Sequence, residues 1–158
     1  MKLEISNQFN SEIIKKLYRN EHDLKLAFPK ASYPINIDEW TDWIIKKESE
    51  NFSLTWSNGN SPLAHIAIKN YIEKPGIVYL CFFIVDPEFR GKKLSRKILE
   101  SVYHFVVNEL KKKELWLVVD SRNKKAFNLY KSEGFKVIDN RPAGVRMKKD
   151  LRKVRFFS

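Results

Sequence analysis

The chain has 158 residues, of which 43% are hydrophobic and 13% aromatic. A chain of this size buries about 70 per cent of its unfolded surface, and this composition excludes an intrinsically disordered protein. The length fits a single domain, which we place at residues 1–158. The formal net charge of +11 favours an anionic partner, whether a nucleotide cofactor, a nucleic acid or a membrane surface. A solvated lysine-rich surface would give the same charge.

Cysteine content and segment hydrophobicity narrow the class of protein. Cys81 is the only cysteine, so it can form neither an intramolecular disulfide nor a cysteine zinc site, and we predict no metal. We expect Cys81 to be a small core residue. The N-terminus lacks the apolar run of a signal peptide, and no segment approaches the roughly 18 apolar residues of a membrane span. The sequence therefore predicts a cytoplasmic protein that does not cross a membrane.

The first predicted elements are a strand and a helix. Leu3 and Ile5 alternate with charged neighbours, which is typical of a short strand. Asn10 or Ser11 can cap a helix, and the apolar side chains that would share one face of it are Ile13, Ile14, Leu17 and Tyr18. Two prolines then interrupt the helical pattern between residues 28 and 34.

A second helix is predicted to begin after Asn36. Glu39 follows this residue at the spacing of a capping box, in which the two side chains satisfy each other's backbone N–H groups. The helix presents Trp40, Trp43 and Ile44. These side chains either pack the helix against a sheet or line an acceptor pocket.

Three strands follow in the middle of the chain. Phe52, Leu54 and Trp56 alternate with polar residues, and Asn58-Gly59 supplies the positive φ angles of a tight hairpin turn. The partner strand covers about residues 63–68. It contains His65, which we expect to be a surface or satisfied polar group. Residues 77–85 are apolar on both faces, as in a central strand that is covered on both sides.

The central strand leads into a basic loop and a long helix. After Pro87 the loop contains Gly91, and the apolar positions of the helix recur from Leu94 to Leu110. The first N–H groups of a helix lack internal partners, and the helix dipole adds positive charge there, so an anion is the expected ligand. Five basic side chains favour a phosphate ligand over a lone carboxylate: Arg90, Lys92, Lys93, Arg96 and Lys97. An ordinary strand–loop–helix unit with solvated lysines is the alternative.

The C-terminal third predicts a second apolar strand, a short helix and two more strands. The strand at residues 115–119 follows a helical crossover, which implies parallel pairing with the central strand and a right-handed connection. A helix after Asn123 should end at Gly134 in a left-handed cap. The strands at 135–138 and 145–147 are predicted to be antiparallel, and the tail 151–158 is predicted to be an edge strand.

Residues 123–135 resemble a known signature. The pattern N-x-x-A-x-x-L-Y-x-x-x-G-F is similar to that of the GNAT N-acetyltransferase superfamily, and residues 85–91 resemble the acetyl-coenzyme A (acetyl-CoA) loop of that family. The likeness is strongest from about Ile77 to Phe135. It implies an α+β (mixed α/β) fold with a mostly antiparallel sheet, a central parallel strand pair and helices on both faces.

The resemblance also implies roles for particular residues. The backbone of Phe83, Ile84 and Val85 would pair with the pantetheine arm of acetyl-CoA, and Asn123 would hydrogen-bond the same arm, in addition to capping its helix. Tyr130 would protonate the leaving thiolate, since the reference pKa of a phenol, about 10, lies near that of a thiol. The alternative for Tyr130 is a buried core tyrosine. The residues implied to hold the pyrophosphate are Arg90, Gly91, Lys92, Lys93, Leu94, Ser95 and Arg96.

The chain departs from the family pattern at two kinds of position. Lys93 and Ser95 stand where glycine or alanine lets phosphates approach the backbone, so the Lys93 side chain must point outward or meet a phosphate. Tyr79 and Val118 stand where some members carry a glutamate. The general base is therefore left open, and the candidates are ordered water leading to Glu73, Tyr79, His65 or solvent.

The function implied by the resemblance is acetyl-CoA-dependent N-acetyl transfer by direct attack of a primary amine. The acceptor would be a small molecule or an exposed protein amino group, and the protein a monomer or homodimer. An alternative is a catalytically degenerate protein of the same fold that binds coenzyme A (CoA) or a partner. Basic residues near the C-terminus, with Phe156 and Phe157, suggest nucleic-acid binding, but the absence of a recognised nucleic-acid module argues against it.

Overall fold

The computed structural model describes residues 1–74, 76–91 and 93–154 and contains one seven-stranded sheet flanked by helices. The sheet order is β1-β2-β3-β4-β5-β7-β6. Only β4 and β5 run parallel, and every other neighbouring pair is antiparallel. The elements, in chain order, are β1 (Lys2–Ser6), α1 (Ser11–Leu17), α2 (Glu21–Ala27), α3 (Ile37–Ile44), β2 (Ser49–Asn58), β3 (Ser61–Tyr71), β4 (Val78–Val85), a 3-10 turn (Pro87–Phe89), α4 (Leu94–His104), a π-helical segment (Phe105–Glu109), β5 (Glu114–Val119), α5 (Lys124–Ser132), β6 (Lys136–Arg141) and β7 (Gly144–Asp150). The predicted fold class is confirmed.

Two glycines stand where the sequence predicts special backbone angles. Gly59, in the hairpin between β2 and β3, has φ +62°. Gly134 has φ +92° after α5. Its N–H donates to the carbonyl of Lys131, and the N–H of Phe135 donates to the carbonyl of Tyr130. These two bonds form a Schellman motif, so the predicted left-handed cap is confirmed.

The N-terminal helices differ from the prediction in two details. Between α1 and the prolines lies α2, a seven-residue helix that the sequence analysis did not predict and that Asn20 caps. Asn36 does cap α3, but Glu39 does not complete the capping box, because its carboxylate accepts hydrogen bonds from the N–H and hydroxyl groups of Ser32. The Glu39 carboxylate therefore holds the preceding loop against α3.

The long helix after the central strand changes its hydrogen-bonding pattern before it ends. A regular helix as far as Leu110 was predicted, but α4 stops at His104 and continues as the π-helical segment, in which the N–H of Leu110 donates to the carbonyl of Phe105. The wider turn buries both Phe105 and Val106. It is followed by Lys111 at φ +59°.

The sheet separates two hydrophobic cores. One packs the sheet against α4, the π-helical segment and α5, and the other packs it against α1, α2 and α3. Trp40 is fully buried in the second core, so it is a packing residue, while Trp43 is only partly buried. Cys81 borders the second core, and burial raises the pKa of its thiol to about 12, so it is not a thiolate at neutral pH.

The end of the chain does not extend the sheet as far as it is described. Leu151 is buried, its N–H donates to the carbonyl of Lys113, and residues 151–154 form a turn. The predicted edge strand is therefore wrong for these residues, because Leu151 is drawn into the core. Residues 155–158, with Phe156 and Phe157, lie outside the described residues. None of the described helices has the length and hydrophobicity to cross a membrane.

Candidate active site

A wedge opens between the two parallel strands at the centre of the sheet. Within the described residues, β4 and β5 are joined by only two residue pairs, Tyr79 with Trp116 and Leu80 with Leu117. Beyond these pairs β4 continues to Val85 and β5 to Val119. The carboxyl ends of the two strands thus diverge, and backbone groups of β4 that would pair with β5 in a regular sheet face the gap.

In the loop from β4 to α4, a side chain caps the backbone at the 3-10 turn, whereas no described side chain does so at the start of α4. The side chain of Asp86 accepts a hydrogen bond from the N–H of Glu88 and so caps the 3-10 turn. Gly91 has φ +78° and Lys93, the residue before α4, has φ +61°. Within the part of the chain that the structure describes, no side chain caps α4, and its first turn contains no acidic residue. The first N–H groups of α4, which have no intrahelical acceptors, are therefore left for a ligand.

Arg90 bonds to two protein groups beside the wedge. Its Nε donates to the carbonyl of Val85 over 2.7 Å, and its Nη2 lies 3.0 Å from a carboxylate oxygen of Asp23. Arg19 pairs with Asp86 over 3.1 Å. Burial raises the pKa of Asp86, but bonds from Arg19 and from the Glu88 N–H outweigh burial and hold this pKa below its usual value. Two ion pairs thus fasten the α1–α2 region to the loop before α4.

Helix α5 supplies the two other predicted site residues. The Asn123 side chain accepts a hydrogen bond from the N–H of Ala126 over 3.2 Å and caps the helix. Tyr130 lies in the last turn, is 5% exposed and packs edge-on against Phe135 with ring centroids 5.5 Å apart. Its hydroxyl makes no hydrogen bond to a described residue, yet it is not among the fully enclosed unpaired polar atoms, so it keeps some contact with solvent. Burial raises the pKa of Tyr130, which keeps the phenol protonated at neutral pH.

The sequence matches the acetyltransferase (GNAT) family over residues 16–135. The chain belongs to this family. It is therefore an acyltransferase, and enzymes of the GNAT family use acetyl-CoA as cosubstrate. The comparison with curated proteins gave no match.

Solved structures of several acetyltransferases have the same fold as this GNAT protein. The spermidine N-acetyltransferase of Vibrio cholerae, in complex with CoA and spermine, has a TM-score of 0.70 and 18% identity, covering 96% of each chain. The PaiA N-acetyltransferase of Thermoplasma acidophilum, in complex with CoA, has a TM-score of 0.64 and 18% identity, covering 95% of this chain and 99% of that one. The ribosomal-protein-S18-alanine N-acetyltransferase of Escherichia coli has a TM-score of 0.59 and 17% identity, covering 98% and 100%.

The residues predicted to bind acetyl-CoA in this GNAT protein lie in three places. Phe83, Ile84 and Val85 form the end of β4 beside the wedge, although the carbonyl of Val85 already accepts a bond from Arg90. Asn123 lies at the start of α5. The loop and the first turn of α4 contain Arg90, Gly91, Lys93, Leu94, Ser95 and Arg96, whereas Lys92 lies outside the described residues. Lys93 is exposed, so its side chain points outward.

The candidate general bases differ in their access to the wedge. His65 is fully buried, with Nδ1 2.8 Å from the Tyr18 hydroxyl and Nε2 2.8 Å from the Ser53 hydroxyl. Burial lowers its pKa to about 3, so His65 is a neutral, satisfied core residue. Tyr79 is only partly buried and belongs to the last two residue pairs before the strands diverge, while Glu73 is exposed in the loop before β4.

The contacts of Asp23 and Arg19 with the loop before α4 were not predicted. Asp23 and Arg90, like Arg19 and Asp86, are 67 residues apart in the sequence. No local spacing relates such pairs. The only available signal was the presence of opposite charges in the two stretches of sequence.

Proposed function

We propose that this GNAT protein transfers the acetyl group of acetyl-CoA to a primary amine of a small molecule or to an exposed protein amino group. The observation that carries the proposal is the position of the uncapped start of α4 beside the β4–β5 wedge. Free N–H groups and a helix dipole favour a phosphate group there. The gap between the strands offers backbone partners to an extended chain attached to that phosphate.

Different residues named above would bind different parts of acetyl-CoA. The N–H groups of the loop and of the first turn of α4, from Gly91 to Arg96, would hold the pyrophosphate. The backbone of Phe83 to Val85 would hydrogen-bond the pantetheine amides as an additional strand would. The Asn123 side chain accepts one hydrogen bond from the N–H of Ala126. Its remaining hydrogen-bonding groups would bind the pantetheine arm.

The reaction would be a direct transfer without a covalent enzyme intermediate. The amine nitrogen attacks the thioester carbon and forms a C–N bond, and the C–S bond breaks with its electron pair going to sulfur. Tyr130 donates its phenolic proton to the thiolate and regains a proton from solvent. The nitrogen loses its surplus proton to water, so charge and atoms balance. The raised pKa of Tyr130 supports a role as proton donor and not as base.

Calorimetric titration with acetyl-CoA tests the binding half of the proposal. We expect one site per chain and heat of binding at sub-millimolar ligand. An absence of binding at millimolar acetyl-CoA would contradict the proposed function. A thiol-release assay across a panel of primary amines tests the catalytic half.

A further inference from the structure

One part of the sheet surface next to the wedge is bordered by a helix on one side only. Side chains of β5 alternate between partly exposed and buried, and so do those at the start of β4. The buried side chains of β5 face α4 and α5, as do Val78 and Leu80 of β4, whereas Phe82 lies in the second core. On that other side of the sheet, α1, α2 and α3 make their principal contacts with β3, β4 and β2. The partly exposed side chains of Tyr79 and Trp116, with Arg146 and Lys148 of β7, therefore form an open face.

The open face consists of adjacent aromatic rings with cations on either side. Across the strands, Lys69 is paired with Tyr79, Tyr79 with Trp116, and Trp116 with Lys148. The ring centroids of Tyr79 and Trp116 are 6.2 Å apart. Lys148 Nζ lies 5.3 Å from the Trp116 ring, and the Arg146 guanidinium lies 5.2 Å from the same ring. We define the open face by six residues: Lys69, Tyr71, Tyr79, Trp116, Arg146 and Lys148.

The charges of the open face are unbalanced. Arg146 forms an ion pair with Asp139 over 2.6 Å, and Lys148 forms one with Glu114 over 3.1 Å. Lys69 has no carboxylate partner among the described residues. Its ammonium group lies 5.4 Å from the Tyr71 ring and 5.8 Å from the ring of Trp43 on α3, which borders the face. Both carboxylates are thus already paired, while one cation is available to a ligand.

The open face begins where the wedge ends. Tyr79 and Trp116 are one of the two pairs that still join β4 and β5. Lys69 lies one strand further away, about 5 Å in backbone spacing. Because α4 and α5 cover the opposite face, these two rings border the side from which an amine would approach a thioester in the wedge.

We propose that the open face binds the acceptor, and that the acceptor is a primary amine that also carries a carboxylate. This inference rests on the proposed function. Lys69 pairs with the carboxylate, and the apolar part of the acceptor lies on Tyr79 and Trp116. A polyamine lacks the anionic group and meets an unpaired lysine, so it is a poor acceptor.

The test compares matched acceptors in the thiol-release assay. Tyrosine is compared with tyramine and lysine with cadaverine, and a peptide with aspartate beside its free amine is compared with the asparagine peptide. The amino-acid pairs and the peptide pair together show whether the acceptor is a free amino acid or a peptide amine. We expect kcat/KM to be at least tenfold higher for the carboxylate member of the preferred pair. Spermidine should be acetylated at least tenfold more slowly than that acceptor.

Lys69→Gln identifies the residue responsible. This substitution should lower kcat/KM for the carboxylate acceptor about tenfold by raising KM. The value of kcat/KM for the decarboxylated acceptor should stay the same, so the preference disappears. Lys131→Gln is the control, because Lys131 also lies over a ring, 5.9 Å from Phe127 on α5, but not on the open face. A preference that survives Lys69→Gln would overturn the assignment.

Failure of this inference is distinguishable from failure of the proposed function. If acetyl-CoA does not bind, the proposed function and this inference both fall. If thiol is released equally well with decarboxylated amines or with spermidine, the function stands and the inference is overturned. Calorimetry with the amino acid or peptide alone gives a readout that does not depend on turnover, and equal binding to wild type and Lys69→Gln would contradict the inference.

Discussion

The start of α4 differs from the starts of the other helices. An asparagine side chain caps each of α1, α2, α3 and α5 by accepting a backbone N–H, and α1, α2 and α3 also have an acidic residue in the first turn. Helix α4 has neither feature, and the residue before it is a lysine in a left-handed conformation. In each of those four helices a side chain satisfies one of the N-terminal donors, and in α4 no described side chain does so. The start of α4 is therefore where we expect an anionic ligand to bind.

Helices α4 and α5 flank the same wedge but offer different chemistry. The contribution of α4 lies at its first turn, where backbone donors are free. Helix α5 is capped at its start by Asn123, and its distinctive residue, Tyr130, lies in its last turn. On this comparison we propose that α4 binds the cosubstrate and that α5 takes part in the reaction, and three substitutions test that division.

Tyr130→Phe should have the largest effect. It removes the proton donor and keeps the ring that packs against Phe135. Positioned acid catalysis contributes about 10²–10⁴-fold, so kcat should fall within that range while the Kd for acetyl-CoA changes little. Single-turnover kinetics and calorimetry measure the two quantities separately. An unchanged kcat would remove Tyr130 from the mechanism.

Ser95→Glu should weaken binding without reducing stability. A carboxylate in the first turn of α4 interacts favourably with the helix dipole, by about 0.3–1 kcal/mol, but repels a pyrophosphate. We expect Kd for acetyl-CoA to rise at least tenfold, about 1.4 kcal/mol. Lys125→Glu places the same group in the first turn of α5 and serves as the control. If both variants weaken binding equally, the contrast between the two helices is wrong.

Asn123→Ala should have the smallest effect, divided between stability and binding. Loss of an N-cap costs about 1 kcal/mol, and Asn36→Ala, which removes the cap of α3, should cost a similar amount. Only Asn123→Ala should also raise Kd for acetyl-CoA. Thermal unfolding and calorimetry on both variants provide the comparison. Equal affinities would mean that Asn123 is a cap and nothing more.

Much of the sheet, with its turns, could be predicted from local sequence patterns. The strands, the turn at Gly59 and the cap at Gly134 follow from alternation and from the residues that tolerate positive φ. Helix α2 was not predicted because it is short, and only Leu24 in it is buried, so it has no apolar periodicity to detect. The π-helical segment depends on how Phe105 and Val106 fit the core, which no local pattern specifies.

The motif residues of the candidate site could be predicted from the sequence, but its ion pairs could not. The positions of Gly91, Asn123 and Tyr130 follow from motifs with fixed spacing. The ion pairs of Arg90 with Asp23 and of Arg19 with Asp86 depend on the tertiary arrangement of α1 and α2. The same holds for Glu39, whose carboxylate bonds to the loop residue Ser32 instead of completing its local motif.

The short contact between β4 and β5 has a mechanical consequence. Among the described residues, four strands lie on one side of it and three on the other, and only two residue pairs join the two groups. A single backbone hydrogen bond contributes about 0.5–1.5 kcal/mol net, so this seam is weak compared with the ladders on either side. Helix α4 packs against both parts of the sheet in one core and helps to hold them together. A cosubstrate that hydrogen-bonds along the edge of β4 would add contacts between β4 and β5. The enzyme would therefore become more rigid when the cosubstrate binds.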